Sequence, residues 1–254
     1  MTQPTTSQSG AEYDAPSTVE PKKPEKASLL DDFMDIFYAP SAVFARRANA
    51  GFWIPLLIVS VLLGVIYFAN RDLIDPIVEA ELARAMAKNP QAQQMTPDQL
   101  ATARKFAGTI GMVFAFIGPP IAMLLLGVTI WIVGKFFDAK QSLNAAIVVA
   151  VFSYVPRVIE GVVNRVEGLL IDTSNLNSRY SLTLGLGRFF DPDTTSPLLL
   201  GLIGRIDLFT IWITVLVAIG LAVTGKISRG KAAIAAAIVW LIGALPTLAS
   251  AIRQ

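Results

Sequence analysis

Long runs of apolar residues alternate with polar segments along this chain. The first run, GFWIPLLIVSVLLGVIYFA at residues 51–69, contains Tyr67 as its single ionisable side chain. Runs of about 18 or more apolar residues are candidates for crossing the roughly 30 Å hydrocarbon core of a bilayer as helices. Further apolar segments follow at residues 106–137, 143–163, 198–225 and 231–252. The pattern therefore predicts an all-α, polytopic membrane helix bundle of five transmembrane helices.

The second predicted span is longer than the others and carries an internal break signal. A helix over residues 106–137 would be about 48 Å long at 1.5 Å per residue, so it must tilt, bend or protrude. Gly118, Pro119 and Pro120 near its middle predict a bend, because proline removes a backbone donor and clashes with the preceding turn. A transporter hinge is the alternative. A static bend is favoured, since neighbouring helices tolerate such kinks.

A short helix with one apolar face precedes the first span. Its apolar positions follow the spacing of one helical face: Leu29, Leu30, Phe33, Ile36 and Phe37. The aspartates of this stretch lie away from that face, Pro40 ends the helix, and Ser41 is a candidate cap of a second short helix. We expect this amphipathic helix, residues 28–39, to lie at the membrane–water interface. Together with Tyr38 and Pro40, its apolar face is a candidate partner surface.

The polar stretch at residues 70–105 contains two helix-start signals. Asp75 and Thr96 each precede a proline, which suits the first position of a helix. Gln99, three residues after Thr96, completes a capping box. These signals predict a helix over residues 74–89 and another that begins at Thr96 and runs straight into the second span.

Composition sets the class of protein and excludes several functions. The chain is 54% hydrophobic and 16% charged, with a mean hydropathy of +0.57, whereas soluble domains are about 25% charged. It contains no histidine and no cysteine, which excludes disulfides, imidazole or thiolate zinc sites, and Cys or Ser–His nucleophiles. Its net charge of +2 is too small to indicate a nucleic-acid partner. We predict no catalytic residue, no metal site and no cofactor.

The lysine and arginine distribution predicts the orientation. Both short connections between spans are basic, and short basic loops stay in the cytosol. The long segments, residues 70–105 and 164–197, then form outer loops, with the N-terminus cytosolic and the C-terminus outside. Arg46 and Arg47, just before the first span, are expected to attract anionic lipid. Residues 1–26 are rich in Thr, Ser, Pro, Glu and Lys, which predicts a disordered cytosolic tail.

Three short stretches carry motifs in a specific order and spacing. They are DIFYAPSAVF at residues 35–44, VFSYVPRVI at 151–159 and GRIDLFTIWITVLVAIGLAVTGKISRGKA at 204–232. They resemble, in turn, the Asp-Leu-Tyr-Gly-Pro, Tyr-Ser-x-x-Pro and Leu-Asp-Leu-Phe-x-x-Trp motifs of the Yip family, the Ypt/Rab-interacting membrane proteins. The layout of spans agrees, so residues 27–252 look like a Yip-like membrane domain. Ala39 stands where eukaryotic members have glycine, and the long outer loops look like those of bacterial relatives.

The resemblance implies, for eukaryotic members, cytosolic N-termini, small-GTPase partners and roles in membrane traffic or shaping. A bacterial member would have no such vesicle pathway, so the fold transfers better than the function. We therefore expect a protein of the bacterial inner membrane, with an ER or Golgi membrane as the alternative. Its expected partners are membrane lipid and other membrane or cytosolic proteins, and a homo-oligomer is left open.

Polar residues within the third and fourth predicted spans are the sharpest local signal: Arg157, Glu160, Asn164, Arg205 and Asp207. An ionisable side chain at membrane depth costs about 2.5–3.5 kcal/mol on insertion scales, so each needs a partner, water or an interfacial position. One interpretation is ion pairing or hydrogen bonding between the two helices, as between Arg157 and Asp207, around a small water-filled cavity. The other is that Pro156 marks the end of the hydrocarbon and these residues face headgroups.

Two functions compete on this basis. The first is a non-enzymatic membrane protein that organises membrane or recruits protein partners through its cytosolic helix and tail. The second is a small oligomeric permease or channel that uses the intramembrane charged residues. An intramembrane enzyme ranks third, because the sequence lacks paired intramembrane aspartates, a Ser–His pair or a metal site.

Overall fold

The computed structural model describes residues 27–89, 94–172 and 175–246. Within these residues the chain folds into α-helices, one short 3₁₀ helix at Leu186–Phe189, and an isolated bridge between Gly185 and Asp207. The helices are α1 (Leu29–Asp35), α2 (Pro40–Arg47), α3 (Trp53–Ala69), α4 (Arg71–Ala87), α5 (Pro97–Lys135), α6 (Leu143–Ser153), α7 (Pro156–Gly168), α8 (Pro197–Ile203), α9 (Leu208–Gly225) and α10 (Arg229–Ile242). The predicted all-α class is confirmed. The predicted tail and the end of the fifth predicted span, residues 247–252, lie outside the described residues.

Several of these helices are long and apolar enough to cross a membrane. By length and composition, the described residues contain three such stretches: α5, α6 with α7, and α9. A fourth is added if α3 and α4, which are bent by 79° at their junction, count as one broken span. The membrane bundle is therefore supported at the level of three to four candidate spans.

The longest helix, α5, begins with the predicted capping box. The Thr96 side chain accepts a hydrogen bond from the Gln99 backbone, and the Gln99 side chain accepts one of 2.9 Å from the Thr96 backbone. The helix then runs to Lys135 without interruption, as predicted for its entry into the second span. Pro119 and Pro120 lie inside this continuous helix, and a bend at this point stays a prediction.

Two helices begin elsewhere than the sequence predicted. Helix α4 begins at Arg71, not at residue 74 as predicted, because Asn70 both ends α3 and starts α4. The Asn70 side chain fixes this corner by donating to the carbonyls of Ile66 (2.9 Å) and Gly161 (3.0 Å). Helix α2 begins at Pro40 with Ala39 as its cap position. Ser41 is already inside this helix, since proline is preorganised for the first position.

The fourth predicted span, residues 198–225, is divided in the structure. Asp207 adopts an extended backbone and its carboxylate accepts hydrogen bonds from the backbone of Phe209 (2.9 Å) and Thr210 (3.1 Å). This side-chain cap starts α9 at Leu208 and leaves α8 as a separate short helix. The apolar pattern of residues 198–225 therefore does not reveal this helix boundary. In the sequence, only the capping aspartate indicates it.

The centre of the bundle is α6, which is apolar on all sides and buried along Ala145–Ser153. Two glycines let its neighbours approach. A Cβ on Gly127 of α5 would lie 2.7 Å from the Cα of Ile147, and one on Gly220 of α9 would lie 2.4 Å from Val149 Cγ1. Small residues at such contacts are typical of helix packing in membranes, where close van der Waals contact replaces the hydrophobic effect.

The N-terminal helices form a hairpin that runs alongside this core. Phe33 packs on Phe152 near the end of α6, and Phe37 packs on Trp212 of α9, each with ring centroids 5.5 Å apart. Trp212 lies about 20 Å along α9 from Gly225, at 1.5 Å per residue. Ala50, after the hairpin, accepts a hydrogen bond of 2.8 Å from the side chain of Asn144, at the opposite end of α6. The contacts thus place α1 and α2 beside the candidate spans, not across their ends.

An ion cluster closes this hairpin. Asp32 is fully buried and accepts hydrogen bonds from the guanidinium groups of both Arg46 (2.6 Å) and Arg47. Arg46 also pairs with Asp35 at 2.6 Å. The two arginines that were expected to attract anionic lipid are therefore engaged by aspartates of the same hairpin. This pairing lowers the cost of placing α1 beside apolar helices.

Outside the bundle, ion pairs connect α4 to the second predicted outer loop. Arg179 donates to Glu81 at 2.8 Å, Arg84 to Asp193 at 2.6 Å, and Arg165 of α7 to Asp72 at 2.6 Å. The hydrogen bonds to Glu81 raise the pKa of Arg179. The two segments predicted as outer loops are thereby joined into one layer at the same end of the bundle.

The glycine contact on α6 gives a testable prediction. Gly127→Ala places a methyl group against backbone atoms of Ile147, which no rotamer change can relieve, so we expect a loss of about 1–3 kcal/mol in unfolding free energy. Gly108→Ala on the same helix meets no atom within 4 Å and should be neutral or stabilising by up to about 1 kcal/mol. Unfolding by denaturing detergent, followed by tryptophan fluorescence, measures both. Equal stabilities would contradict the role of Gly127.

The ion cluster gives a second prediction. Asp32→Ala leaves two guanidinium groups without their buried partner, and we expect a loss of roughly 3–5 kcal/mol, toward the lower end because both arginines are partly exposed. Asp35→Ala is the matched control, because its pair with Arg46 is half-exposed and should be worth about 1 kcal/mol or less. The same unfolding experiment compares them. Similar losses in both variants would refute the central position of Asp32.

Candidate functional site

Of the five polar residues singled out in the sequence, four form two groups toward the end of the bundle near α4, and the fifth, Asp207, caps α9. In the first group, Arg157 donates to Glu160 of its own helix at 2.5 Å and to Thr210 Oγ1 of α9 at 3.0 Å. The link between the third and fourth apolar segments is therefore a hydrogen bond from Arg157 to Thr210. Asp207 is occupied as the cap of α9 and is not the ion-pair partner of Arg157.

Asn164 extends the first group toward the outer layer. Its side-chain nitrogen, oriented to satisfy its surroundings, donates to the carbonyls of Leu182 (2.8 Å) and Glu160 (3.2 Å). The face predicted at Arg157, Glu160 and Asn164 therefore exists on α7, and its far end contacts the loop that follows this helix.

Arg205 forms the second group, and it hydrogen-bonds to the end of α10. Its guanidinium donates to the carbonyls of Gly243 (2.8 Å) and Trp240 (2.9 Å), and it lies over the Trp240 ring at 5.3 Å. Arg205 thus satisfies carbonyls at the end of α10 that the helix itself leaves free. It holds α10 against the segment between α8 and α9.

A groove of about 610 Å³ opens beside the first group, between α3, α4, α5 and α7. Its polar lining consists of Arg157, Glu160, Asn164, Tyr154 and Tyr67, and its apolar wall includes Leu63, Phe114, Ala115, Pro119 and Ala122. Pro119 of the predicted bend therefore lines the same groove as the predicted charges. The sequence placed these two features on separate helices and gave no sign that they meet.

Tight helix contacts fix two sides of the groove. A Cβ on Gly161 of α7 would lie 2.1 Å from Ile66 of α3, so these helices touch closely where Asn70 forms the α3–α4 corner. The Tyr67 hydroxyl lies near α5, at 3.3 Å from a Cβ placed on Gly111. The groove is therefore an opening between helices whose positions are set by glycine contacts.

One part of the predicted partner face of α1 is buried in the bundle, and another part is exposed. Ile36 is fully buried, and Leu29, Phe33 and Phe37 pack against the core. Leu30, by contrast, is exposed. The apolar stripe is therefore mostly used by the protein itself, and Pro40 serves to start α2.

Leu30 and Tyr38 of the predicted partner face belong with Met34 to a second stripe on the hairpin, which the sequence did not separate from the first. Leu30, Met34 and Tyr38 follow one another at i, i+4 and i+8 and are 72%, 57% and 81% exposed. We call these three residues the hairpin ridge. The helical spacing was visible in the sequence, but the neighbouring stripe at Phe33 and Phe37 gave a stronger apolar signal.

Comparisons with known proteins agree with this architecture. The model of the Yip1 domain family matches residues 34–250, from α1 to beyond α10. Membrane protein YknW of Bacillus subtilis (strain 168) is 27% identical over 220 residues, which cover 85% of this chain and 86% of the relative. This similarity supports the expectation of a bacterial member. No solved structure matches the chain. The resemblance drawn from three short motifs is thereby confirmed, and the chain belongs to the Yip1 domain family of membrane proteins.

Proposed function

We propose that this Yip1 domain protein is a non-enzymatic organiser of a bacterial inner membrane that recruits another membrane protein through its N-terminal hairpin. The observation that carries the proposal is the hairpin ridge, which is exposed on a hairpin that the Asp32 cluster closes and that Phe33 and Phe37 pack against α6 and α9. A surface fixed in this way presents the same side chains to every neighbour.

A protein partner fits the surroundings of the ridge better than lipid does. The Asp35–Arg46 ion pair lies on the same hairpin with 38% and 35% of its side chains exposed. Charged side chains at membrane depth are costly when they face lipid tails. The Tyr38 hydroxyl likewise needs a polar partner that acyl chains do not supply. A partner helix with polar side chains would hydrogen-bond to both the ion pair and the Tyr38 hydroxyl. Helices in membranes form such hydrogen bonds across their interfaces.

We further propose five spans with a cytosolic N-terminus. Helix α3 exposes apolar side chains such as Trp53, Leu57 and Val61 along its length, as expected beside lipid. Helix α10 returns along α9 after a short turn in which Lys226 adopts a left-handed backbone with φ of 53°. These features favour membrane crossing by α3 and α10 in addition to α5, α6 with α7, and α9.

A small oligomeric permease or channel is the alternative, and the groove beside Arg157 favours it. A transport path would connect this groove to both sides of the membrane. No residue of α6 lines the groove, and α6 is buried and apolar along Ala145–Ser153, so it offers no polar path from the groove toward the other end of the bundle. Flux of protons or small solutes through reconstituted vesicles would favour the permease over the organiser.

The topology is testable because the natural chain contains no cysteine. We expect Thr194→Cys, in the outer layer, to react with a membrane-impermeant maleimide in intact cells. Gly230→Cys, in the first turn of α10, should react only after permeabilisation, and Gln254→Cys should react in intact cells if α10 crosses the membrane. Labelling of Gly230→Cys from outside would reverse the orientation. Protection of Gln254→Cys would reduce the number of spans.

Recruitment through the ridge is testable by cross-linking in native membranes. A photoreactive amino acid at Met34 should form a discrete adduct with a second protein. Tyr38→Ala should abolish this adduct, because it removes the most exposed side chain of the ridge. Phe136→Ala is the matched control, since Phe136 is equally exposed (81%) but follows α5 and is not part of the hairpin.

The outcomes separate the possible occupants. An adduct to another membrane protein or to a second copy of this chain, lost only with Tyr38→Ala, supports recruitment. Adducts to lipid alone, or a protein adduct that Tyr38→Ala leaves unchanged, would rule out the ridge as the docking surface.

A further inference from the structure

We propose that the groove beside Arg157 binds an uncharged amphiphile from the half of the bilayer near α4. The ligand would be of the diacylglycerol class, with a hydroxyl and ester head group and an acyl chain. This site goes beyond partner recruitment, since it lies on α3, α5 and α7 and not on the hairpin.

The size and lining of the groove match such a ligand. A volume of about 610 Å³ lies within the roughly 300–1,000 Å³ of typical small-molecule sites. Its apolar wall is formed by Leu63 of α3 and by Phe114, Ala115 and Pro119 of α5. Its two charged groups and its amide, those of Arg157, Glu160 and Asn164, are gathered on α7, so a molecule with one polar and one apolar end has a defined orientation.

Access to the groove is from the side, through lipid. Phe114 lines the groove and is at the same time exposed, and its neighbours Val113 and Ile117 are exposed on α5 as well. In a membrane these side chains face acyl chains. The apolar wall is therefore continuous with the lipid phase, and an acyl chain can extend from the groove into the bilayer.

The charge of the lining favours a neutral head group. Arg157 is the only cation and Glu160 the only carboxylate among the groove residues that the structure describes, and they pair at 2.5 Å. A phosphate would have to compete with Glu160 for Arg157 and would lie near its carboxylate. Hydroxyl and ester groups can instead bond to Asn164, Tyr67 or the ion pair without adding a charge at membrane depth.

The ion pair takes part in helix packing and also faces the groove. Helix α7 is joined to α9 by the bond to Thr210 and to α3 by the contact at Gly161. The carboxylate of Glu160 accepts its hydrogen bond from Arg157 of the same helix, and Glu160 lines the groove. Ionisable residues at membrane depth that face a cavity typically mark a binding site or pathway.

The site can be tested with the full chain in phosphatidylcholine vesicles. Two photoreactive probes are used, a diacylglycerol and a phosphatidylglycerol with the same photoreactive acyl chain. We expect the diacylglycerol to label the groove segment of α5, residues 111–122, more strongly than phosphatidylglycerol does. Ala115→Trp should remove this labelling by filling the groove. Val128→Trp, on the same helix but outside the groove lining, should retain it and controls for folding.

A charge variant tests the chemistry of the head group. Glu160→Gln leaves Arg157 without its carboxylate, so the ratio of phosphatidylglycerol to diacylglycerol labelling should rise roughly tenfold, as a single charge-assisted contact would produce. The proposal fails if labelling of residues 111–122 is unaffected by Ala115→Trp, which would indicate bulk lipid only. It also fails if the unmodified chain prefers phosphatidylglycerol.

Discussion

The close packing of α5 and α9 on α6 is the constraint on which the rest of the structure depends. Helices in lipid gain nothing from the hydrophobic effect when they meet, so they associate through contact between backbones and through hydrogen bonds. Gly127 and Gly220 provide that contact on two sides of α6. Because α6 is apolar on all sides, other helices can surround it completely. Their positions are then set relative to α6.

Both candidate sites obtain their positions from this central helix. The hairpin lies beside the last turn of α6, where Phe33 meets Phe152. The groove begins just after α6, because Pro156 starts α7 at once and places Arg157 next to Thr210. A shift of α6 along its axis would therefore misplace the ridge and the groove together. The unbroken burial of this apolar segment therefore positions both candidate sites.

The sequence predicts features that are local and misses those that depend on distant partners. The capping box at Thr96 needs only four consecutive residues, and it was found where it was expected. Asp207 is an exception: its cap is local, formed with the backbone N–H groups of Phe209 and Thr210, but it was interpreted as an intramembrane charge because the apolar run around it concealed the helix boundary. The arginine pairs of Asp32 span a turn between two helices, and periodicity carries no information about them. The apolar spacing of α1 is the same whether lipid or protein covers it. Only the structure shows that this face is buried against α6 and α9.

The two ion clusters differ in a way that fits their proposed tasks. Asp32 is held by arginines of the other helix of the hairpin, so separating α1 from α2 would leave charges unpaired in an apolar setting and is strongly opposed. Arg157 and Glu160 are three residues apart on one helix, and they stay paired when a neighbouring helix moves. A fixed hairpin suits a protein interface, whose partner must find the same surface each time. A groove whose charges remain neutralised while α3 or α5 shifts can admit and release a lipid without exposing an uncompensated charge.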